Sequence, residues 1–420
     1  MAKLDKILNE IFEYNKKTGS LEKGFFMESS NRSNQIETYI RPPFLELRKL
    51  FGKSDNCFST SIGCHPDFIN LKENSLEYQY IVSVFMDISG STKLGLKFDL
   101  PQVRFYKNAI LRSAIEIFQA FDGHIHRLQG DAIFAFFGSK SVTKADAIIN
   151  ALNASSLMQS FNKNSLNDFF DSYGLDPLKI RIGIDVGDDP DVLWSKYGIA
   201  DIHEITTTSI HTDLAAKLQS KAKGNSIMIG ENIFRYLDLP DKYLTIRNYQ
   251  ENSQQVEELF IIKNPNYSMR LFEWGKYLED FPYSINDRNS NYISPDHFEL
   301  KCYIIENDIE TEYHSSSFAL KKNLKLKFVF LAKFLKPTNI KWEVENTGQE
   351  ARLAGNLKFS MPDKEGKYEC FQTTQYNGYH YMICSIFGRN NSLIIKCKFG
   401  IFVNDNIQSL KSISYKVVIE

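Results

Sequence analysis

An α+β architecture in two bodies is predicted by three observations. Between residues 76 and 280, apolar strand-like runs alternate with helical periodicity. Beyond residue 298, short alternating strands are punctuated by Gly, Asn and Asp at β-sandwich spacing. Residues 286–297 (NDRNSNYISPDH) form a polar linker between the two. The expected division is an N-terminal helical accessory region at 1–70, an α/β body at 71–285 and a β-rich body at 298–420.

Each element follows from local pattern. Leu4, Ile7, Leu8, Ile11 and Phe12 recur at helical spacing, so the chain opens with an amphipathic helix. Residues 78–86 (YQYIVSVFM) form a mostly apolar run that ends at Asp87, as a buried strand does. Pro101 opens a helix whose apolar face is Val103, Tyr106, Ile110, Ala114, Ile117, Phe118 and Phe121. Two short runs, 125–128 and 132–137, flank Gln129-Gly130-Asp131 as a hairpin. A long helix over 144–161, a strand at 179–186, a helix at 210–218, a strand at 226–229 and a helix at 233–237 complete the body. That order predicts a ferredoxin-like core with an addition. The second body shows strands at 324–330, 340–344, 379–387 and 393–402.

Composition narrows the function. With 420 residues and 43% hydrophobic content, the chain reads as folded, in two or three domains of about 150 residues. Its 50 Lys+Arg against 51 Asp+Glu give a charge of -1, which argues against general nucleic-acid binding. No apolar run approaches the roughly 20 residues of a membrane span, and the N-terminus lacks an apolar signal core. Six dispersed cysteines read as reduced thiols in a cytoplasmic setting. Cys57, Cys64 and His65 lack zinc-site spacing and read as packing residues.

Two carboxylates carry the candidate chemistry. Asp87 ends a predicted strand and precedes the small-residue turn Ile88, Ser89, Gly90, Ser91, Thr92. An acidic group there suits a metal–triphosphate, with turn N–H groups approaching the phosphates. Asp131 sits at the hairpin tip. If the two strands are neighbours, the carboxylates converge into a phosphoryl-transfer centre.

The blocks FMDISGST, HRLQGDAIFAFF, KIRIGIDVG and ITTTSIHTDLAAKLQ, in that order over residues 76–240, resemble the class III nucleotide cyclase domain. The last block is read as a helix. The resemblance implies that Asp87 and Asp131, with the Ile88 carbonyl, hold two Mn²⁺ or Mg²⁺ ions. It implies phosphate binding by Ser89, Gly90, Ser91 and Thr92. The substrate's 3′-hydroxyl would attack its own α-phosphate and expel pyrophosphate. A homodimer with composite sites is implied as well.

Four positions depart from the purine cyclase pattern. The base-reading residue four before the second metal aspartate is Arg127, and its counterpart falls on Thr206. The family's Asn falls on Asp213 and its Arg on Lys217, which keeps the charge without the bidentate fork. These departures resemble the bacterial anti-phage pyrimidine cyclases. They imply cyclic CMP or cyclic UMP made from CTP or UTP, read by a separate effector in antiviral defence. An arginine fork faces two acceptors on cytosine and a donor at uracil N3, which leans toward CTP. Two alternatives stand: an adenylate cyclase with an atypical base pocket, and a catalytically degenerate nucleotide-binding sensor. KWEVENTG with the following ARLAG and YNGYH resembles the sensor domain appended to cyclases of bacterial defence. Trp342 and His380 there are either ligand contacts or, more simply, a core residue and a turn cap.

Overall fold

The computed structural model describes residues 6–10, 13, 42–251, 253–282, 298–332, 339–361, 368–388, 391–405 and 409–413. The expected linker at 286–297 lies outside them, as do Leu4, Ile11 and Phe12 of the opening helix. Residues 6–10 are helical, and Ile7 and Leu8 are buried in the main core. Helix α1 (Pro42–Leu50) then packs on the first body. Its buried Arg48 holds Asp122 at 2.8 Å and the Ala120 carbonyl at 3.0 Å.

The first body follows the predicted order. It runs β1 (Ile81–Ser89), α2 (Leu100–Ala120), β2 (His124–Gln129), β3 (Ala132–Phe137), α3 (Lys144–Phe161) and β4 (Lys179–Gly187). The sheet order β4-β1-β3-β2 is that of a ferredoxin-like fold. A hairpin arm, β5 (Leu193–Ile199) and β6 (Ile202–Thr208), stands apart from this sheet and pairs with Glu77–Tyr78. After α4 (Ile210–Lys221), β7 (Ser226–Gly230) joins β4 in parallel, and β8 (Asn266–Phe272) extends the sheet.

Local chemistry explains the boundaries. Asp99 and Gln102 form a reciprocal capping box at the start of α2. Its predicted apolar face is buried from Tyr106 to Phe121, with Val103 half-buried. Strand β1 runs past Asp87 to Ser89, because the β4 ladder continues to the pair Ser89–Lys179. Asp87 therefore lies inside the strand rather than at its end. Residues 205–208, expected as helix, are strand. Ser209 is the cap that starts α4, its side chain accepting from the His211 N–H.

Every residue of α3 from Ala147 to Phe161 is buried, polar ones included. One side faces the sheet, where Gln159 donates to the Ser226 carbonyl at 3.0 Å. The other side faces the second body. Asn153 donates to the Ser316 carbonyl at 2.9 Å, and Asp146 accepts from the Ala319 N–H at 2.8 Å. These bonds satisfy polar groups that would otherwise make burial costly.

The second body has two sheets. One contains β9 (Phe298–Glu306), β10 (Lys325–Ala332) and, later in the chain, β12 (Glu369–Thr373). The other contains β11 (Asn339–Glu345), β13 (Gly378–Phe387) and β14 (Leu393–Val403). Both sheets contribute to one apolar core, as the sandwich expectation requires. Strand β13 alternates between two cores. Met382, Cys384 and Ile386 enter the sandwich, whereas Tyr379, Tyr381 and Ile383 enter the core of the first body. Tyr243 binds the Tyr381 hydroxyl at 2.6 Å and Asp280 at 2.5 Å. Lys398 reaches the same Asp280 at 2.8 Å.

Candidate active site

The β1–β3 ladder runs to Met86–Ile133, which brings Asp87 beside the hairpin tip that carries Asp131. Gly130 takes the left-handed conformation, φ +66°, that the two-residue turn needs. Arg181 stands opposite Asp87 on β4. Its Nε donates to Asp87 Oδ2 at 3.1 Å, and its Nη2 donates to the same atom. Gln219 Nε2 adds a third donor at 3.3 Å. Gly183 permits this approach of α4. A Cβ there would lie 2.2 Å from the Ala215 carbonyl oxygen and the Gln219 nitrogen.

Burial raises the Asp87 carboxyl above its usual range. Arg181 opposes that rise, and the neighbouring Asp131 carboxylate adds to it. Asp131 Oδ1 lies 3.5 Å from Lys107 Nζ. Its Oδ2 is buried without a hydrogen-bond partner among the described residues.

The turn after Asp87 is shorter than expected. Ile88 and Ser89 belong to β1, Gly90 takes φ +77°, and Ser91 and Thr92 begin a single 3-10 turn. Gly90 and Thr92 are exposed beside the carboxylates, and Ser89 and Ser91 are half-exposed.

A second group assembles where β2 meets the arm. Arg127 Nε donates to Glu204 Oε1 at 3.0 Å, and Nη2 donates to Oε2, making a two-point fork. The hydrogen bonds raise the Arg127 pKa and hold Glu204 below the ordinary carboxylate value. His126 Nε2 lies 3.3 Å from Glu204 Oε1, and burial keeps that imidazole neutral further down in pH than usual. Thr206 lies two residues beyond Glu204 on β6 and so shares its strand face.

Asp213 and Lys217 stand apart. They are four residues apart on α4 and occupy one exposed face. Among the described residues, no hydrogen bond or ion pair joins either one to Asp87, Asp131 or Arg127. Glu204, Arg181 and Gln219 were not anticipated as site residues. The only available signals were a basic residue inside an apolar strand for Arg181 and a place at the end of the fourth block for Gln219.

A cytidylate cyclase of Staphylococcus aureus is 49% identical over 421 residues, covering 97% of this chain and 98% of that protein. This chain belongs to the cytidylate cyclase family. A cytidylate cyclase of Escherichia coli is 32% identical over 413 residues, covering 89% of each chain. The crystal structure of the adenylyl cyclase CyaB from P. aeruginosa aligns at a TM-score of 0.38 and 21% identity, over 47% of this chain and 95% of that one. The family model "Adenylyl/Guanylyl and SMODS C-terminal sensor domain" matches residues 272–404. The protein is thus a nucleotide cyclase carrying a sensor-type C-terminal region.

The donor set of this cyclase fits a hard divalent cation. Two facing carboxylates, one with an unpartnered buried oxygen, keep acceptor capacity that Arg181 and Lys107 leave unfilled. Among the described residues, no group of three or more His, Cys, Asp or Glu is placed to hold a metal ion. Two carboxylates completed by substrate phosphates and water are the usual setting for Mg²⁺.

The other histidines and Trp342 have structural places. His65 caps a short turn and is buried against Trp194, and His203 is exposed beside the Ala200 carbonyl. His211 is buried on Asp185 at 2.9 Å, and Trp342 lies in the sandwich core. His380 accepts from the Thr347 N–H at 3.1 Å and donates to the Tyr376 carbonyl at 2.7 Å.

Proposed function

We propose that this cyclase converts CTP to 3′,5′-cyclic CMP and pyrophosphate. The Arg127–Glu204 pair carries the reading. Cytosine presents a donor at N4 and acceptors at N3 and O2. A carboxylate beside a guanidinium offers one acceptor and two donors in the matching order. Uracil reverses the first two positions and meets like against like. Arg127 keeps Glu204 ionised, so the acceptor persists at any physiological pH. Thr206 shares the strand face with Glu204 and would border the base.

Asp87, Asp131 and the Ile88 carbonyl would hold two Mn²⁺ or Mg²⁺ ions. Divalent ions at such a site supply acidification of the 3′-hydroxyl and neutralisation of the triphosphate. Ser89, Gly90, Ser91 and Thr92 leave backbone room for the phosphates. The 3′-hydroxyl gives up its proton to solvent, its oxygen bonds to the α-phosphorus, the bond to the bridging oxygen breaks, and pyrophosphate carries away the electron pair. No protein nucleophile takes part.

The active form we infer is a homodimer. Asp213 and Lys217 are exposed, with no hydrogen bond to their own Asp87 among the described residues, and would serve the partner's site, where Lys217 would supply positive charge. The arm tip leaves Tyr197, Ile199 and Ile202 exposed, at 45%, 74% and 81%, which suits a subunit contact. The proposed division of labour gives catalysis to 71–285, sensing to 298–420 and an accessory role to 1–70. The product would act as a second messenger in antiviral defence, read by a separate effector.

The test is product analysis with the full chain, Mn²⁺ and all four nucleoside triphosphates in competition. Cyclic CMP with stoichiometric pyrophosphate is expected, and Asp87→Ala should abolish it. A cyclic purine as the main product, or activity that survives Asp87→Ala, would overturn the proposal.

A further inference from the structure

We propose that the second body binds an uncharged, N–H-bearing planar heterocycle, of nucleobase to nucleoside size, in the cavity between its two sheets. The cavity measures about 240 Å³. That is room for about eight waters and falls just below the roughly 300–1,000 Å³ of common ligand pockets. Phe328, Met382 and Ile401 provide an apolar floor.

Four amides, Asn346, Asn356, Gln372 and Gln375, provide the polar wall. Each of the first three commits one N–H of its amide to the protein. Asn346 donates to the Asn356 carbonyl at 2.9 Å, Asn356 to the Tyr376 hydroxyl at 3.2 Å, and Gln372 to Met361 Sδ at 3.5 Å. The amide oxygens remain as acceptors without partners among the described residues. A ligand that satisfies them donates N–H groups.

Charge decides against nucleotides. No lining side chain is charged at neutral pH, since burial lowers His380 to about 4 and both its ring nitrogens are already engaged. A phosphate would enter without a counter-ion, which disfavours it. Aromatic Phe328, Phe359 and Tyr376 suit a flat ring instead.

The site is also connected to the first body. His380 and Met382 on β13 line the cavity. Tyr379 and Tyr381 on the same strand are built into the core of the first body, and Tyr381 also borders the cavity.

The experiment titrates the full chain with cytidine, uridine, adenosine, guanosine and their free bases, read by calorimetry and thermal shift. At least one should bind saturably at one site per chain. Gln372→Leu, which preserves volume, and Met382→Trp, which fills the cavity, should each weaken that binding by about tenfold or more. The 5′-monophosphate of the same nucleoside should bind at least about tenfold more weakly. Arg127→Ala, which removes the proposed base-reading fork of the cyclase site, should leave the binding intact and so separates this cavity from that site. Binding by none of the compounds, binding that survives both cavity variants, equal binding of the monophosphate, or loss in Arg127→Ala would each overturn the proposal.

Discussion

Arg181 stands directly across the β1–β4 ladder from Asp87 and donates to the carboxylate that neighbours Asp131. It serves as a resident counter-charge for a pair of acids that otherwise repel. Arg181→Met should destabilise the metal-free protein by about 1–3 kcal/mol. Saturating Mn²⁺ should recover most of that loss. Urea unfolding with and without Mn²⁺ checks this, and an equal loss in both conditions would refute it.

Asp131 contributes an oxygen that nothing among the described residues satisfies. Asp131→Asn should leave the metal-free melting temperature unchanged or raised, because it removes a facing charge. The rise in melting temperature on adding Mn²⁺ should disappear, and turnover should fall by about a hundredfold or more. Parallel thermal scans and initial rates decide the matter.

Glu204 accepts the Arg127 fork and, on the proposed reading, the N4 amine of the base. Glu204→Gln should lower the ratio of kcat/KM for CTP over UTP by about 1–3 kcal/mol, or roughly five- to a hundredfold. A ratio unchanged within twofold would remove Glu204 from base recognition.

His380 contributes a pH response to the second body. The unfolded residue takes a proton near its ordinary 6.5, whereas burial lowers the folded residue to about 4. Within that window the unfolded chain binds more protons, so stability is full above pH 6.5 and falls toward pH 4. The loss from this residue amounts to roughly 3 kcal/mol. His380→Gln should flatten the decline. Denaturant midpoints at pH 5 and pH 7 for the two proteins measure the difference.

Tyr243 and Tyr381 join hydroxyls at 2.6 Å across the two bodies. Tyr381→Phe should cost about 1–2 kcal/mol, because Tyr243 loses its donor in a buried setting. A double-mutant cycle with Tyr243→Phe should return a coupling of at least about 0.5 kcal/mol. Additive effects would mean that the hydroxyls do not act together.

Much of this architecture was readable from residue order, because burial enforces periodicity. The helix at 144–161 and the hairpin around Gly130 emerged at their predicted positions. Asp87 and Asp131 were legible because turn chemistry and strand neighbourhood both point at them. Glu204 was not, since the arm that carries it is largely solvent-facing and its burial does not alternate cleanly. Arg181 looked like the outward residue of an alternating strand. Its meaning comes from the register with β1, which is a fact of pairing rather than of local pattern. The over-long helix read through residues 205–208 has a similar cause, since three threonines before Ser209 suit a strand or a cap equally well in isolation.

Helix α3 has no outside. Trimming the gene at the linker would turn Asn153, Asp146 and their neighbours toward water and remove their partners Ser316 and Ala319. A shortened product would therefore be a damaged enzyme rather than an unregulated one. For the same reason, the C-terminal body is a poor cassette for swapping between cyclases. Transplanting it would require regrafting the far side of α3 and the tyrosines of β13 along with it.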